Sequence, residues 1–95
     1  MLALLTCPFC GHHGQTEVDV YFGELALYRY RVGDACRWAP GRTVAHGGRP
    51  EGGDLDGEGY VECVGCGRDW FAVVSVRGDR FAEVRPDPVR SGFVA

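Results

Sequence analysis

The chain has 95 residues, 45% of them hydrophobic and 24% charged, and a formal net charge of −3 at pH 7. These values indicate one globular domain and exclude a disordered chain, while fifteen glycines exclude a regular all-helical protein. A domain this short buries a limited core and often needs a disulfide or a structural metal.

The sequence contains no candidate targeting or membrane segment. The apolar run MLALLT is shorter than the hydrophobic part of a signal peptide, and no stretch approaches the roughly 20 apolar residues of a membrane span. We therefore expect a cytoplasmic protein with no membrane partner. In a reducing cytoplasm, paired cysteines are more often metal ligands than disulfides.

Three strands are predicted in the first third of the chain. LALLT (2–6) is typical of a short strand. TEVDVYF (16–22) alternates between apolar and polar residues, and its apolar face carries Val18, Val20 and Phe22. After a turn at FGEL, LALYRYRV (25–32) predicts a strand that forms a hairpin with TEVDVYF.

Residues 33–59 lack any regular pattern. Eight of these 27 residues are glycine, prolines stand at positions 40 and 50, and GGRPEGGDLDGEG has no apolar period. We expect a long, flexible loop inserted between two ordered halves of the chain. Only CRWAP offers apolar anchors here, so Cys36 and Trp38 are predicted to hold the base of the loop.

Order is predicted to resume at Tyr60. YVEC and DWFAVVSV are typical of strands, Gly78-Asp79 is a two-residue hairpin turn signal, and RFAEVR returns antiparallel. Pro86 and Pro88 are predicted to end the sheet and to leave residues 86–95 as a tail.

The fold class follows from these strands. No segment keeps a 3.6-residue apolar period over ten residues, so little or no helix is expected. The sequence predicts an all-β fold in a single domain, residues 1–95, built on a small antiparallel sheet of about five or six strands.

Two cysteine pairs share the pattern Cys-x-x-Cys-Gly. The first is CPFCG, with Cys7 and Cys10, and the second is CVGCG, with Cys63 and Cys66. This spacing forms a tight turn that brings both sulfurs within about 2.3 Å of one ion. The trailing glycine permits positive φ, which lets backbone N–H groups point toward the thiolates. We therefore predict a four-thiolate site for Zn²⁺, with Fe as the alternative.

The motifs CPFCG and YVECVGCGRDW resemble the knuckles of the zinc-ribbon group and, more loosely, those of rubredoxin. The resemblance covers about a sixth of the chain and implies a β-ribbon whose four metal ligands are Cys7, Cys10, Cys63 and Cys66. Rubredoxin has its Cys-Pro-x-Cys-Gly knuckle second, whereas this chain has it first. The gap of 52 residues between the pairs is also longer than in either compact family. The segment YFGELALYRYRVGD is similar to small bacterial zinc-ribbon proteins of unassigned role.

Three further candidate ligands are not needed for this site. Because four cysteines complete the metal shell, His12 and His13 are expected to face solvent or to lie beside the site. Cys36 is expected to be a small buried hydrophobe rather than a reactive thiol, since no base or resolving cysteine lies close to it in sequence.

The motifs favour a binding protein over an enzyme. A closed four-thiolate shell has no open position for a substrate, and the sequence shows no nucleophile–base pair, paired carboxylates or phosphate loop. We therefore predict a non-catalytic zinc-ribbon protein that acts as a protein-interaction or regulatory module. Two alternatives stay open: a rubredoxin-like iron electron carrier and a nucleic-acid-binding ribbon. The latter requires a basic footprint, whereas four thiolates and one Zn²⁺ bring the net charge to about −5.

A candidate partner surface lies in LYRYRV, where Tyr28, Arg29, Tyr30 and Arg31 interleave. Tyrosine and arginine are enriched at interface hot spots. The hypothesis is that this surface binds another protein, and it requires the two arginines to lie on an exposed sheet face. The favoured interpretation is that the two tyrosines line the core and the arginines only face water.

Overall fold

The computed structural model describes residues 1–24 and 29–92 of the chain. Its strands are β1 Leu2–Thr6, β2 His13–Glu17, β3 Asp19–Val20, β4 Leu55–Glu62, β5 Asp69–Arg77 and β6 Arg80–Ser91. The helical segments in the described ranges are two short 3₁₀ turns, Val44–His46 and Glu51–Gly53. The predicted all-β class with five or six antiparallel strands is confirmed. No helix in the described ranges is long and apolar enough to cross a membrane.

The strands form two sheets rather than the one that the sequence predicts. β1 and β2 form a two-stranded antiparallel sheet, and the second sheet has the order β3-β4-β5-β6. Neighbours in each sheet are antiparallel, and most of them are joined by short turns, as expected for hairpins.

The chain passes from one sheet to the other at Val18. β2 ends at Glu17, paired with β1, and β3 begins at Asp19, paired with β4. Between them Val18 is fully buried, and its backbone N–H donates to the carbonyl of Met1 at 2.7 Å. The prediction of one uniform strand over 16–22 is therefore wrong, because the segment changes its pairing partner where its central valine enters the core.

Residues 29–36, here called the strap, join the edge of β1 to the start of β6. At one end Leu2 donates its backbone N–H to the carbonyl of Tyr30 at 2.8 Å. Farther along, Gly33 donates to the carbonyl of Phe81 at 2.7 Å. The strap therefore closes one end of the space between the two sheets.

The strand predicted at 25–32 is wrong in its described part, and residues 25–28 lie outside the described residues. Within 29–32 the strap makes one isolated bridge, between Arg31 and Leu2 of β1, and does not form a hairpin with TEVDVYF. Two features direct the chain elsewhere: the Tyr30 ring packs on a core phenylalanine at 4.5 Å between centroids, and Gly33 turns the chain with φ +96°.

β4 begins at Leu55, so the prediction that order resumes only at Tyr60 is wrong. β4 contains glycines because side chains from other segments pack directly onto its backbone at these positions. A Cβ on Gly57 would lie 2.2 Å from the ring of Phe22, and one on Gly59 would lie 2.8 Å from two core valines. Glycine in this stretch therefore indicates close packing rather than a loop.

The predicted two-residue hairpin turn is confirmed at Gly78-Asp79, where φ is +55° and +67° and the chain turns from β5 into β6. The prediction that Pro86 and Pro88 end the sheet is wrong, since β6 continues to Ser91. β6 is an edge strand, and proline is tolerated there because its missing N–H is not needed for pairing.

One hydrophobic core collects side chains from both sheets and from the strap. Its buried members are Met1, Ala3, Leu5, Val18, Cys36, Val61, Trp70, Ala72, Val74, Val76 and Phe81. Val20 and Phe22 pack against this cluster, so the apolar face predicted for TEVDVYF is confirmed.

The part of the predicted loop before β4 is tied to the β5–β6 turn. The indole N–H of Trp38 donates to the carboxylate of Asp79 at 2.9 Å, and Arg49 pairs with the same carboxylate. The Asp79 backbone N–H donates to the carbonyl of Gly53 at 3.0 Å. Cys36 and Trp38 anchor the segment as predicted, while its mobility stays a prediction.

Candidate metal centre

Each cysteine pair lies at the turn of a β-hairpin. Cys7 and Cys10 stand between β1 and β2, and Cys63 and Cys66 stand between β4 and β5. β2 contacts β4, so the two turns meet at the same end of the molecule. The fold therefore brings together two motifs that are 52 residues apart in the sequence.

The two knuckles share one backbone geometry. In each, the first cysteine closes the hairpin with its backbone N–H at 2.8 Å, and its carbonyl accepts the N–H of the trailing glycine. That second bond measures 3.0 Å for Gly11 and 2.9 Å for Gly67. The two glycines have φ of +76° and +74°, in the left-handed region that favours glycine. The positive φ expected from the shared trailing glycine is confirmed.

Backbone N–H groups also point at the sulfurs of both knuckles. Phe9 donates to Cys7 Sγ at 3.4 Å, and Gly65 donates to Cys63 Sγ at 3.3 Å. The backbone N–H groups of Cys66 and Gly65 lower the pKa of Cys63 to about 6 despite its burial. Such bonds stabilise the thiolate, which is the form that binds a metal.

The pKa of Cys10 is shifted in the opposite direction to that of Cys63. The backbone N–H of His12 lowers the pKa of Cys10, but burial and hydrogen bonds to the three other sulfurs outweigh it and raise that pKa to about 12. Cys10 is therefore a protonated thiol at neutral pH when no metal is bound. Metal binding requires the release of its proton.

The sulfur positions fit a four-coordinate ion. The Sγ atoms of Cys7, Cys10, Cys63 and Cys66 all lie within 4.8 Å of one another, with 3.6 Å for Cys10–Cys63 and 3.9 Å for Cys7–Cys66. A tetrahedral shell with Zn–S bonds of about 2.3 Å places its sulfurs about 3.8 Å apart. A disulfide requires about 2 Å, and all four residues are free cysteines.

The cluster has an inner and an outer half. Cys7 and Cys63 are each only 5% exposed, whereas Cys10 and Cys66 are exposed. Each knuckle thus contributes one sulfur that faces the core and one that faces solvent.

Contacts between the knuckles hold them together beside the sulfurs. The guanidinium of Arg68 stacks over the ring of Phe9 at 3.9 Å from its centroid. His12 packs against the second knuckle so closely that a Cβ on Gly65 would lie 3.2 Å from the His12 Cβ. The sequence analysis did not predict either contact, because a residue at one knuckle carries no signal about which residue of the other it will meet.

The remaining candidate ligands lie outside the cluster. His12 and His13 are exposed, as expected, and His13 Nδ1 hydrogen-bonds to the Thr6 hydroxyl at 2.8 Å. Cys36 is buried in the core, where burial and then the charge of Asp79 raise its pKa to about 11. Its thiol is therefore protonated at neutral pH.

The residues of the candidate partner surface have different surroundings. Tyr28 lies outside the described residues. Arg29 and Arg31 are exposed, while Tyr30 is half-buried against the core, and its hydroxyl accepts the backbone N–H of Arg37 at 3.2 Å. The two arginines lie on the strap rather than on a regular strand.

A four-thiolate cluster of this size can hold a soft or borderline cation such as Zn²⁺ or iron. All four positions of a tetrahedral shell would then be occupied by protein sulfur.

Comparison of the chain with protein-family models, with curated proteins and with solved structures finds no match.

Proposed function

We propose that Cys7, Cys10, Cys63 and Cys66 bind one Zn²⁺ ion in a closed structural centre of zinc-ribbon type. The observation that carries this proposal is the sulfur spacing of 3.6 and 3.9 Å across the two knuckles. It matches the edge of a tetrahedron with Zn–S bonds of about 2.3 Å. The repeated backbone geometry of the knuckles supports the same conclusion.

The ion would stabilise the arrangement of the two sheets. One knuckle belongs to the β1–β2 sheet and the other to the β3–β6 sheet, and among the described strands none of one sheet pairs with a strand of the other. A small domain of this kind gains much of its stability from such a cross-link. With no open coordination position, the centre would be non-catalytic, and we infer that the protein is a protein-interaction or regulatory module.

An iron-binding electron carrier is the second candidate. Exposure of Cys10 and Cys66 favours it, because electron transfer to a partner needs ligand sulfurs near the surface. Iron would give a red protein with thiolate-to-iron absorption, whereas zinc would give a colourless one.

Elemental analysis of the protein, purified without added metal, tests the proposal. We expect one zinc per chain, and we expect a strong chelator to remove both the zinc and much of the near-ultraviolet circular dichroism, because metal binding and folding are linked. Cys36→Ala, which changes a cysteine outside the cluster, should keep its zinc. Absence of any metal, with an intact fold in excess chelator, would contradict the proposal.

A further inference from the structure

A groove runs between β1 and β6, next to the strap. Its volume is about 430 Å³, and residues along most of the length of β1 line it. Core residues Ala3 and Leu5 and half-buried Val84 contribute to its walls, together with the exposed apolar side chains of Leu4 and Val32. Exposure of Leu4 is 63% and that of Val32 is 51%, so this is apolar surface open to solvent beside the core.

The groove is bordered by a strand edge. On β1, odd-numbered residues bond toward β2: the Met1 carbonyl accepts from Val18 at 2.7 Å, and Cys7 donates to His12 at 2.8 Å. Leu2 donates the other way, to the strap at 2.8 Å. Because backbone direction alternates along a strand, the N–H and C=O groups of the even-numbered residues all face this second edge.

The strap covers only the first position of that edge. Arg31 bridges Leu2, and the chain then turns away at Gly33 toward Phe81. Within residues 1–24 and 29–92, no backbone bond to the β1 edge is found beyond Leu2 on this side. An edge of this kind is a template for an added strand.

The charges at the groove favour an acidic segment as the added strand. Arg31 is the cation that lines it, and in the part of the chain that the structure describes its guanidinium makes no ion pair. The acid at the groove, Glu83, is already paired with Arg85 at 2.8 Å. The groove therefore offers an arginine to an incoming carboxylate. Asp34 accepts the backbone N–H of Arg31 at 2.8 Å, and among the described residues it forms no ion pair with the Arg31 guanidinium.

We propose that the β1 edge binds an extended, acidic peptide segment of a partner protein as an added β-strand, with a carboxylate of that segment on Arg31. This inference deepens the proposed function and rests on the protein's being an interaction module. The peptide would continue the line that the strap leaves at Gly33, pairing with Leu4 and Thr6. Its alternate apolar side chains would lie in the groove.

Nuclear magnetic resonance of the ¹⁵N-labelled protein, in the metal state in which it is purified, tests this inference. The probe is an acetylated hexapeptide with one glutamate followed by alternating valine and threonine. We expect it to shift the amide resonances of Leu4 and Thr6 and to slow their hydrogen exchange, since both N–H groups would gain a partner.

Four controls separate strand pairing from non-specific binding. A peptide N-methylated at alternate positions cannot pair and should not bind. Replacing its glutamate by glutamine, or Arg31→Ala in the protein, should each weaken binding about tenfold through loss of a charge-assisted bond. Arg31→Ala leaves the backbone bond from Arg31 to Asp34 in place, and Arg42→Ala, outside the groove, should not weaken binding.

Two outcomes would overturn the inference. One is that a saturating concentration of the peptide leaves the amide resonances of β1 unchanged. The other is a dimer in sedimentation whose Leu4 and Thr6 amides are already protected without peptide, since a second copy would then cover the edge. Metal content is measured separately, so failure of the zinc proposal appears in elemental analysis and failure of this one in the peptide titration.

Discussion

The two ends of β5 join distant parts of the chain by different means. At one end, the second knuckle precedes Asp69 and brings Cys63 and Cys66 to the first cysteine pair. At the other end, the turn after Arg77 places Asp79 among partners from the predicted loop. The first junction consists of four cysteine sulfurs from two repeated motifs, and the second consists of one carboxylate and its neighbouring backbone.

Asp79 acts as a hub because of its position in the turn. Its carboxylate accepts from Trp38 at 2.9 Å and from two nitrogens of Arg49, at 2.6 and 3.0 Å. Its backbone carbonyl accepts the N–H of Cys36 at 2.7 Å. With φ +67° it adopts a left-handed conformation that aspartate tolerates better than most residues. This junction depends on one residue, and unlike the sulfur cluster it has no repeated sequence motif.

Removing one buried sulfur should have the largest effect. Cys63→Ser replaces a proposed ligand, which is buried and accepts a backbone N–H. We expect zinc content to fall from one per chain to near zero, together with loss of most of the tertiary structure, because three thiolates leave the shell open. Elemental analysis and near-ultraviolet circular dichroism measure both effects. Full zinc occupancy in this variant would mean that Cys63 is not a ligand.

Removing the hub of the other junction should destabilise the protein without releasing the metal. Trp38→Phe deletes one hydrogen bond to Asp79 and should cost about 1 kcal/mol of unfolding free energy. Asp79→Ala deletes that bond and the Arg49 pair together, so it should cost more. Urea unfolding of the zinc-loaded variants measures the difference. If Asp79→Ala costs no more than Trp38→Phe, the Arg49 pair contributes nothing.

Acid should weaken the Asp79 junction in a defined direction. The hydrogen bonds from Arg49 and then Trp38 lower the pKa of Asp79 in the folded state. An unfolded aspartate titrates near pH 4, so the stabilisation is complete above about pH 4 and is lost as pH falls through the folded pKa. Acid would also release the proposed zinc ion, and subtracting the curve of Asp79→Asn removes that shared loss. We expect the stability advantage of the wild type over this variant to shrink below pH 4; an advantage independent of pH would exclude the linkage.

The smallest effects should distinguish the two knuckle tips. Phe9 stacks under Arg68, whereas Val64 is 87% exposed. Phe9→Ala should therefore cost about 0.5–1 kcal/mol of unfolding free energy, and Val64→Ala should stay within about 0.5 kcal/mol. Thermal unfolding of both zinc-loaded variants provides the comparison. Equal costs would show that the Arg68 stack contributes no stability.

Local patterns in the sequence were sufficient for several elements. The alternation in TEVDVYF identified its buried face, the apolar run DWFAVVSV identified β5, and Gly78-Asp79 identified the turn. The repeated Cys-x-x-Cys-Gly identified which four residues would meet. Each of these signals lies within a few residues, because strand alternation, turn conformation and knuckle spacing are short-range properties.

Tertiary structure alone decided the rest. Glycine at 57 and 59 suggested a loop, but there it admits the Phe22 ring and two core valines to a strand. Pro86 suggested the end of the sheet, but it lies on an edge where no N–H is required. LALYRYRV suggested a hairpin strand, but in its described part the packing of Tyr30 on Phe81 and the turn at Gly33 lead the chain from β1 to β6. The contacts of the two glycines and of Tyr30 join residues far apart in the chain, and the place of Pro86 depends on the order of the strands in the sheet. Neither kind of information leaves a periodic trace in the local sequence.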